Sequence, residues 1–335
     1  MENLAELKAL LQTPRKICII THKNPDGDAV GSSLALQLAL QKMNHQVTAI
    51  VPNDFPIFLK WIPHQEELLR FDKNKDESQS AINSAELIFT LDFNDLSRCG
   101  DVAEALQNMN ADFVMIDHHQ QPADYAKFMY SDDKMGSTCE MIYHFLEKMD
   151  AINLIDKDIA TCIYVGIMTD TGSFRFPATT NTTHQVVSKL IEAGADNSAI
   201  HQQTFDVNSY QRMQLLGVAL KNMTLIPEYK TAYIHLSKEE LEAHNYKKGD
   251  TEGFVNYGLS LENVVFAVIF IESLDEDLIK ISFRSKGNFD VNQFARKHFE
   301  GGGHKNAAGG RSMKNLTDTL SYFKEKLSLQ EDLKG

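Results

Sequence analysis

Four short stretches of the chain carry aspartate and histidine in a pattern that could hold metal ions. His22, Asp26 and Asp28 fall within THKNPDGDAVGS, Asp92 follows LIFTL, Asp117-His118-His119 follows FVMI, and Asp170 lies in MTDTG. Oxygen and imidazole ligands without thiolate suit a hard or borderline divalent ion such as manganese, magnesium or zinc. Taken singly, each stretch has an ordinary structural reading: a turn capping a helix, a strand-end cap, a solvated histidine pair, a turn residue. Together they read differently. Crowded carboxylates repel and raise one another's pKa, and two divalent cations would balance Asp26, Asp28, Asp92 and Asp170 charge for charge. The arithmetic favours a two-metal site.

The elements that must position these residues alternate between strand and helix. Lys16–Thr21 is a β-branched run ending in the polar loop, Gly31–Met43 has apolar residues at helical spacing, and Gln46–Val51, Leu87–Leu91 and Phe113–Ile116 read as further strands. Ile159–Met168 reads as a helix leading to Asp170. Such alternation predicts an α/β domain with a mostly parallel sheet. Ligands in such sheets sit beyond the carboxyl ends of the strands, where these polar residues fall. A helical stretch from about Thr182 to Asn222 is expected to link this domain to a second, smaller α/β domain with strands at Thr231–Leu236, Val264–Ile271 and Leu278–Phe283. The boundaries read as 1–185, a helical linker at 186–224, and 225–335.

Composition narrows the function. The chain has 335 residues and a formal charge of −13. A protein that tracks long nucleic acid normally presents a broad basic face, so no long groove is expected. The N-terminal segment lacks the basic start and apolar core of a signal peptide, and no apolar run reaches bilayer length, so a cytoplasmic protein without membrane contact is expected. Cys18, Cys99, Cys139 and Cys162 form no Cys-x-x-Cys pair, and reduced, structural cysteines are expected.

Positive charge is concentrated late in the chain. Arg284, Lys286, Arg296, Lys297, Lys305 and Arg311 stand against only Asp290 and Glu300. The same stretch contains GGGHKNAAGG, Gly301–Gly310. Consecutive glycines let backbone N–H groups approach an anion, with His304 projecting from the same turn. A solvated basic face and a flexible surface loop are the plain alternatives. Phe174 and Arg175 could stack on a base, but an aromatic residue here reads more readily as core.

In order along the chain, THKNPDGDAVGSSLAL, LDFND, IDHH, MTDTGSFRF, DTEGFVN and GGGHKNAAGG resemble the DHH/DHHA1 phosphoesterase family, and most of all its bifunctional oligoribonuclease and pAp phosphatase members. The likeness spans nearly the whole chain, with no departure at a metal-ligand position. It implies that residues 1–185 are a catalytic DHH domain and 225–335 a substrate-binding DHHA1 domain facing the metals across a cleft. By the same resemblance, His22, Asp26 and Asp92 hold one ion, while Asp28, Asp92, His118 and Asp170 hold the other, with Asp92 bridging. His119 contacts the scissile phosphate, as a donor when protonated, and Asp117 orients a ligand from behind. Arg284, His304, Gly302, Gly303 and Asn256 bind the substrate. The implied cofactors are two divalent ions, manganese first, with magnesium or cobalt as alternatives. Such a pair activates water and neutralises charge on phosphate.

The expected substrates are short RNA oligonucleotides and pAp, cleaved to mononucleotides and AMP. The nearest competing readings are a phosphodiesterase of linear or cyclic dinucleotides and a catalytically silent nucleotide-binding regulator. A RecJ-type exonuclease would need an additional nucleic-acid-binding domain, and a family II pyrophosphatase would lack the GGGH loop. A homodimer is left open.

Overall fold

The computed structural model describes every residue except Glu2, Asn108 and Gly335. The chain divides into two compact units, Met1–Val207 and Asn208–Gly335. In the first, the elements in order are α1 (Leu4–Leu10), β1 (Lys16–Thr21), α2 (Gly27–Lys42), β2 (Gln46–Val51), β3 (Leu69–Arg70), α3 (Lys75–Ser84), β4 (Leu87–Leu91), α4 (Val102–Ala105), β5 (Asp112–Asp117), β6 (Phe128–Ser131), α5 (Thr138–Lys148), α6 (Lys157–Asp170), α7 (Asn181–Glu192) and α8 (Asn197–Phe205). The strands form one sheet in the order β3-β2-β1-β4-β5-β6, and every pairing in it is parallel.

Parallel strands buried on both faces need apolar side chains in both directions, and β1 supplies them. Ile17 and Ile19 join the larger core with α2, α5 and α6, whereas Cys18 and Ile20 join the core formed with α3 and α4. Strand order reverses between β1 and β4, because β2 and β3 extend one way and β5 and β6 the other. A crevice opens at such a reversal beyond the strand ends. The segments after β1, β4 and β5 are those that carry His22, Asp92 and His118.

The second unit contains α9 (Tyr210–Lys221), β7 (Thr224–Ile226), β8 (Thr231–Leu236), α10 (Lys238–Ala243), α11 (Val255–Leu259), β9 (Phe266–Glu272), β10 (Ile279–Ser285), α12 (Val291–His298), β11 (Gly302–His304), β12 (Ala307–Ser312) and α13 (Leu316–Leu327). Its mixed sheet runs β11-β12-β10-β9-β8-β7, parallel only at β8–β9. Seven phenylalanines and tyrosines, among them Phe266, Phe270, Phe283 and Phe323, build the core on one face. The stretch 186–224 is helical, but its helices belong to the two cores. Val186, Val187, Leu190 and Ile200 pack in the first unit, and Leu215, Leu216 and Ala219 in the second.

The glycine-rich stretch departs from the expected binding loop. It forms a β-hairpin, with Gly302 opposite Gly309 and His304 opposite Ala307. Glycine serves close approach here: a Cβ on Gly301 would lie 2.0 Å from the Gly309 carbonyl oxygen. All four cysteines are buried without a disulfide. Among the described residues, no helix is long and apolar enough to cross a membrane.

A polar clamp ties the long excursion after β2 to α6. His64 Nδ1 lies 2.7 Å from Glu67 Oε1, and its Nε2 lies 3.2 Å from Asp158 Oδ2. The Glu67 bond above all, with Asp158, raises the His64 pKa against partial burial. The pair therefore stabilises the fold fully below the unfolded histidine value, near 6.5, and the contribution fades as pH climbs through the raised folded value. His64 has φ of 64°, which asparagine tolerates. His64→Asn should lower the melting temperature by roughly 1–3 °C at pH 6, given solvent screening, and by less at pH 9. An equal loss at both pH values would count against the ion pairs.

Candidate metal centre

Asp92 sits at the hub of the site. It directly follows β4 with φ of 65°, a left-handed conformation that aspartate adopts more readily than most residues. Its Oδ2 lies 3.3 Å from His22 Nε2, and its Oδ1 lies 3.4 Å from His118 Nε2. His118 Nε2 also lies 3.2 Å from Asp170 Oδ2 and 3.7 Å from Asp28 Oδ2, and His22 Nε2 lies 3.8 Å from Asp26 Oδ2. Within the first unit, three groups could each hold a cation: His22, Asp26 and Asp92; Asp28, Asp92 and His118; Asp92, Asp117 and His119. In each, the ligand atoms lie within 4.8 Å of one another. All six side chains expected to bind metal thus meet at the carboxyl edge of the parallel sheet.

Local structure explains how each is held. Asp26 caps α2: its Oδ1 accepts from the N–H groups of Asp28 and Ala29, both at 3.1 Å, while Oδ2 faces His22. Capping uses Oδ1 alone, so it does not compete with the orientation of Oδ2 toward His22. Each histidine commits its other nitrogen to a backbone carbonyl, His22 Nδ1 to Lys23 at 3.0 Å and His118 Nδ1 to Met135 at 3.1 Å. These bonds put the proton on Nδ1 and leave Nε2 to the site. Asp170 comes from the last turn of α6, as Asp28 comes from the first turn of α2. It reaches the site because α2 and α6 pack without an intervening side chain. A Cβ on Gly27 would lie 2.4 Å from Thr169 Oγ1, and one on Gly166 would lie 2.1 Å from Cys139 Sγ and 2.7 Å from Asp28 Oδ1.

Exposure gives the site a floor and a mouth. Asp28 and Asp92 are 0% and 3% exposed, whereas Asp26 is 57% and Asp170 27% exposed. Burial, then Asp92 and Asp170, hold the Asp28 carboxyl well above its usual range. Burial would raise Asp92 too, but His118 and His22 drive it well below. The imidazoles show the reverse. Burial lowers His22, yet Asp26 and Asp92 outweigh it and raise the pKa to about 10. His118 is likewise raised well above its usual value by Asp170 and Asp92, against burial. The raised values of His22, His118 and Asp28 all mark a site that favours added positive charge. The donor set fits a divalent pair: carboxylate oxygens and imidazole nitrogens, no thiolate, and more anion than the histidines can neutralise.

Beside this cluster, Asp117 and His119 form a closed pair. His119 Nδ1 lies 2.7 Å from Asp117 Oδ1, and the His119 backbone N–H donates to Asp117 Oδ2 at 3.1 Å. Burial, with Arg98 adding, holds the His119 pKa well below its usual value. Burial and Asp92 raise Asp117 to about 6. That shift favours the neutral imidazole, and the Asp117 carboxylate favours its proton on Nδ1. The protonated donor expected from the sequence would need the charge of an arriving phosphate.

In the second unit, strand register sets Arg284 opposite both Ala267 and Ala307, and His304 opposite Ala307. Paired residues share a sheet face, so Arg284 and His304 lie on one face, two strands apart. Gly258 of α11 packs against Ala267 and Ala232 on that face, which puts Asn256 on the helix covering it. Gly302 lies in β11, but the Gly303 N–H already donates to Asn292 Oδ1 at 3.0 Å. The buried side-chain amide of Asn292 in α12 thus holds that N–H in this structure. Phe174 packs against the first core, near Tyr164 and His184.

Three contributors were not anticipated. Thr138 and Cys139 bond directly to Asp28 and Asp92, and Arg98 adds charge near Asp117 and His119. The run Ser137-Thr138-Cys139-Glu140 has the Ser-x-x-Glu form of a helix start, which was a usable signal. Ser137 does cap Glu140 N–H at 3.0 Å, but Glu140 turns away to the Thr183 hydroxyl at 3.0 Å.

Comparison with known proteins agrees with this architecture. The DHH family N-terminal domain matches residues 16–167, and the DHHA1 domain matches residues 229–329. A bifunctional oligoribonuclease and PAP phosphatase NrnA from Thermus thermophilus is 30% identical, over 99% of this chain and 94% of that protein. A probable bifunctional oligoribonuclease and PAP phosphatase NrnA from Streptococcus mutans is 29% identical over 96% of each. Among solved structures, an exopolyphosphatase-related protein from Bacteroides fragilis superimposes with a TM-score of 0.93 at 36% identity, over 97% of this chain and 95% of that one.

Side chains whose pKa values are raised, as those of His22, His118 and Asp28 are, must lose protons to bind a cation. Mn2+ affinity should therefore rise from pH 6 to pH 8, with proton uptake by the buffer visible in calorimetry across buffers of different ionisation enthalpy. An affinity independent of both pH and buffer would contradict this account.

Proposed function

The chain belongs to the DHH/DHHA1 family, and on that premise we propose that it is a metal-dependent phosphoesterase that hydrolyses short oligoribonucleotides to mononucleotides and pAp to AMP. The observation that carries the reading is the place of Asp92 between two histidine–carboxylate groups, with the Asp117–His119 pair alongside. Under this reading His22, Asp26 and Asp92 hold one divalent ion, and Asp28, Asp92, His118 and Asp170 hold a second, manganese by preference. Bound, such a pair lowers the pKa of water and neutralises charge on a phosphoryl group. The remaining work falls to the protein. Asp117 fixes the ring of His119 so that Nε2 can meet the phosphate or exchange a proton there. Asp26 and Asp170, the most exposed of the ligand carboxylates, form the side from which substrate enters.

Arg284 and His304, with Asn256 and the backbone of Gly302, are the proposed contacts to the end of the substrate. Their shared sheet face and the positive charge around them support that role. A chain with net charge −13 offers little long-range attraction to a polymer, which favours substrates of a few nucleotides.

With Mn2+, purified protein should release AMP from pAp and mononucleotides from a 2-mer RNA, and turn over a 40-mer far more slowly at physiological salt. Chelator should abolish all three. Comparable rates on the 2-mer and 40-mer would refute the length preference, and binding of pAp without turnover would favour a silent regulator. Asp92→Ala should cost more than the roughly 100-fold typical of residues behind a metal ligand, with bound manganese falling below two ions per chain. Two ions retained would mean that Asp92 does not bridge.

A further inference from the structure

We infer that Thr138 is a positioning residue of the metal centre, whose hydroxyl fixes the Asp92 carboxylate while its backbone helps to fix Asp28. The inference rests on the metal reading above. Thr138 opens α5 and is fully buried. Its Oγ1 donates to Asp92 Oδ1 at 3.1 Å, its N–H donates to Asp28 Oδ2 at 2.6 Å, and the neighbouring Cys139 N–H donates to Asp28 Oδ1 at 2.8 Å. One helix start thus holds a carboxylate from α2 and a carboxylate that follows β4.

The position of the threonine makes this possible. Threonine hydroxyls inside a helix usually bond back to the preceding turn, as Thr161 does to the Lys157 carbonyl at 2.8 Å and Thr169 to that of Val165 at 3.0 Å. At the first helical position there is no preceding turn, so the hydroxyl reaches out of the helix. β-Branching limits its rotation, whereas the terminal torsion of an aspartate is broad. A donor on Oδ1 alone settles that torsion. It sets Oδ1 toward His118 and Oδ2 toward His22, the orientation that lets one carboxylate serve both groups. On Asp28 the two backbone donors occupy each oxygen once, which leaves lone pairs free on both.

Partners behind a metal ligand typically contribute 10–100-fold to metal affinity. Thr138→Val and Thr138→Ala should therefore each weaken Mn2+ binding by about that factor in calorimetry on the full chain, and replace the spectrum of a spin-coupled manganese pair with that of isolated ions. Thr138→Ser, which keeps the hydroxyl, should stay within about threefold of the parent. Melting of the metal-free proteins reports folding, and if the valine variant fails to fold, the alanine variant carries the comparison. Parental affinity and spin coupling in either hydroxyl-free variant would overturn the inference, as would a serine variant that falls as far as valine. If the parent itself bound no manganese, the metal reading would fail instead.

Discussion

Several carboxylates cannot share one buried corner of a protein unless positive charge joins them. Asp28 and Asp92 are almost wholly enclosed, and Asp26 and Asp170 close over them. Burying ionised groups without compensation is among the most unfavourable things a fold can do. The same crowding pushes the pKa values of His22, His118 and Asp28 above their usual range. Such an arrangement is poor as a stability device. It is well suited to a pair of cations, which supply the charge in fewer, stronger centres.

That electrostatic demand dictates unusual backbone packing. Asp28 starts α2, Asp170 ends α6, and Thr138 starts α5, so three helices must bring their ends to within a few ångströms of the strand edge. Gly27, Gly31 and Gly166 remove the side chains that would hold the helices apart, with the Cys139 thiol filling the remaining space. The left-handed backbone at Asp92 is the corresponding concession on the strand side. Stability contributed by the hydrophobic layers around β1 and α2 lets the site tolerate both.

Much of this was legible in the residues. The strands beneath the site announce themselves because they are buried on both faces and therefore continuously apolar, as Lys16–Thr21 and Leu87–Leu91 are. The six metal-ligand candidates were found because Asp and His, each ordinary alone at a strand or helix end, recur together at successive ends in one domain. The assignment of each to a metal came from family resemblance, since spacing along the chain says nothing about which oxygen meets which nitrogen. What stayed hidden depends on partners distant in sequence. Thr138 looks like any threonine at a helix start until the fold sets Asp28, 110 residues away, against it. The GGGHKNAAGG stretch looks like a loop because glycine suits loops, yet its glycines let strands approach closely. Short β3, β6 and β7 carry too few residues for a period to register.

Charge also reconciles an acidic protein with the anionic substrates proposed for it. Phosphate would be repelled by the mouth formed by Asp26 and Asp170 while that mouth remains negative. Filling the site with two divalent ions would cancel the charge of its four carboxylates without altering the net charge elsewhere. The acidic surface then weakens attraction for long polymers, whose many phosphates feel the whole molecule, more than for a short ligand, whose few phosphates feel mainly the site. Under the proposed function, a preference for short substrates would then need no steric gate: it would follow from a neutralised metal centre and a basic stretch from Arg284 to Arg311 in a chain that is otherwise strongly negative.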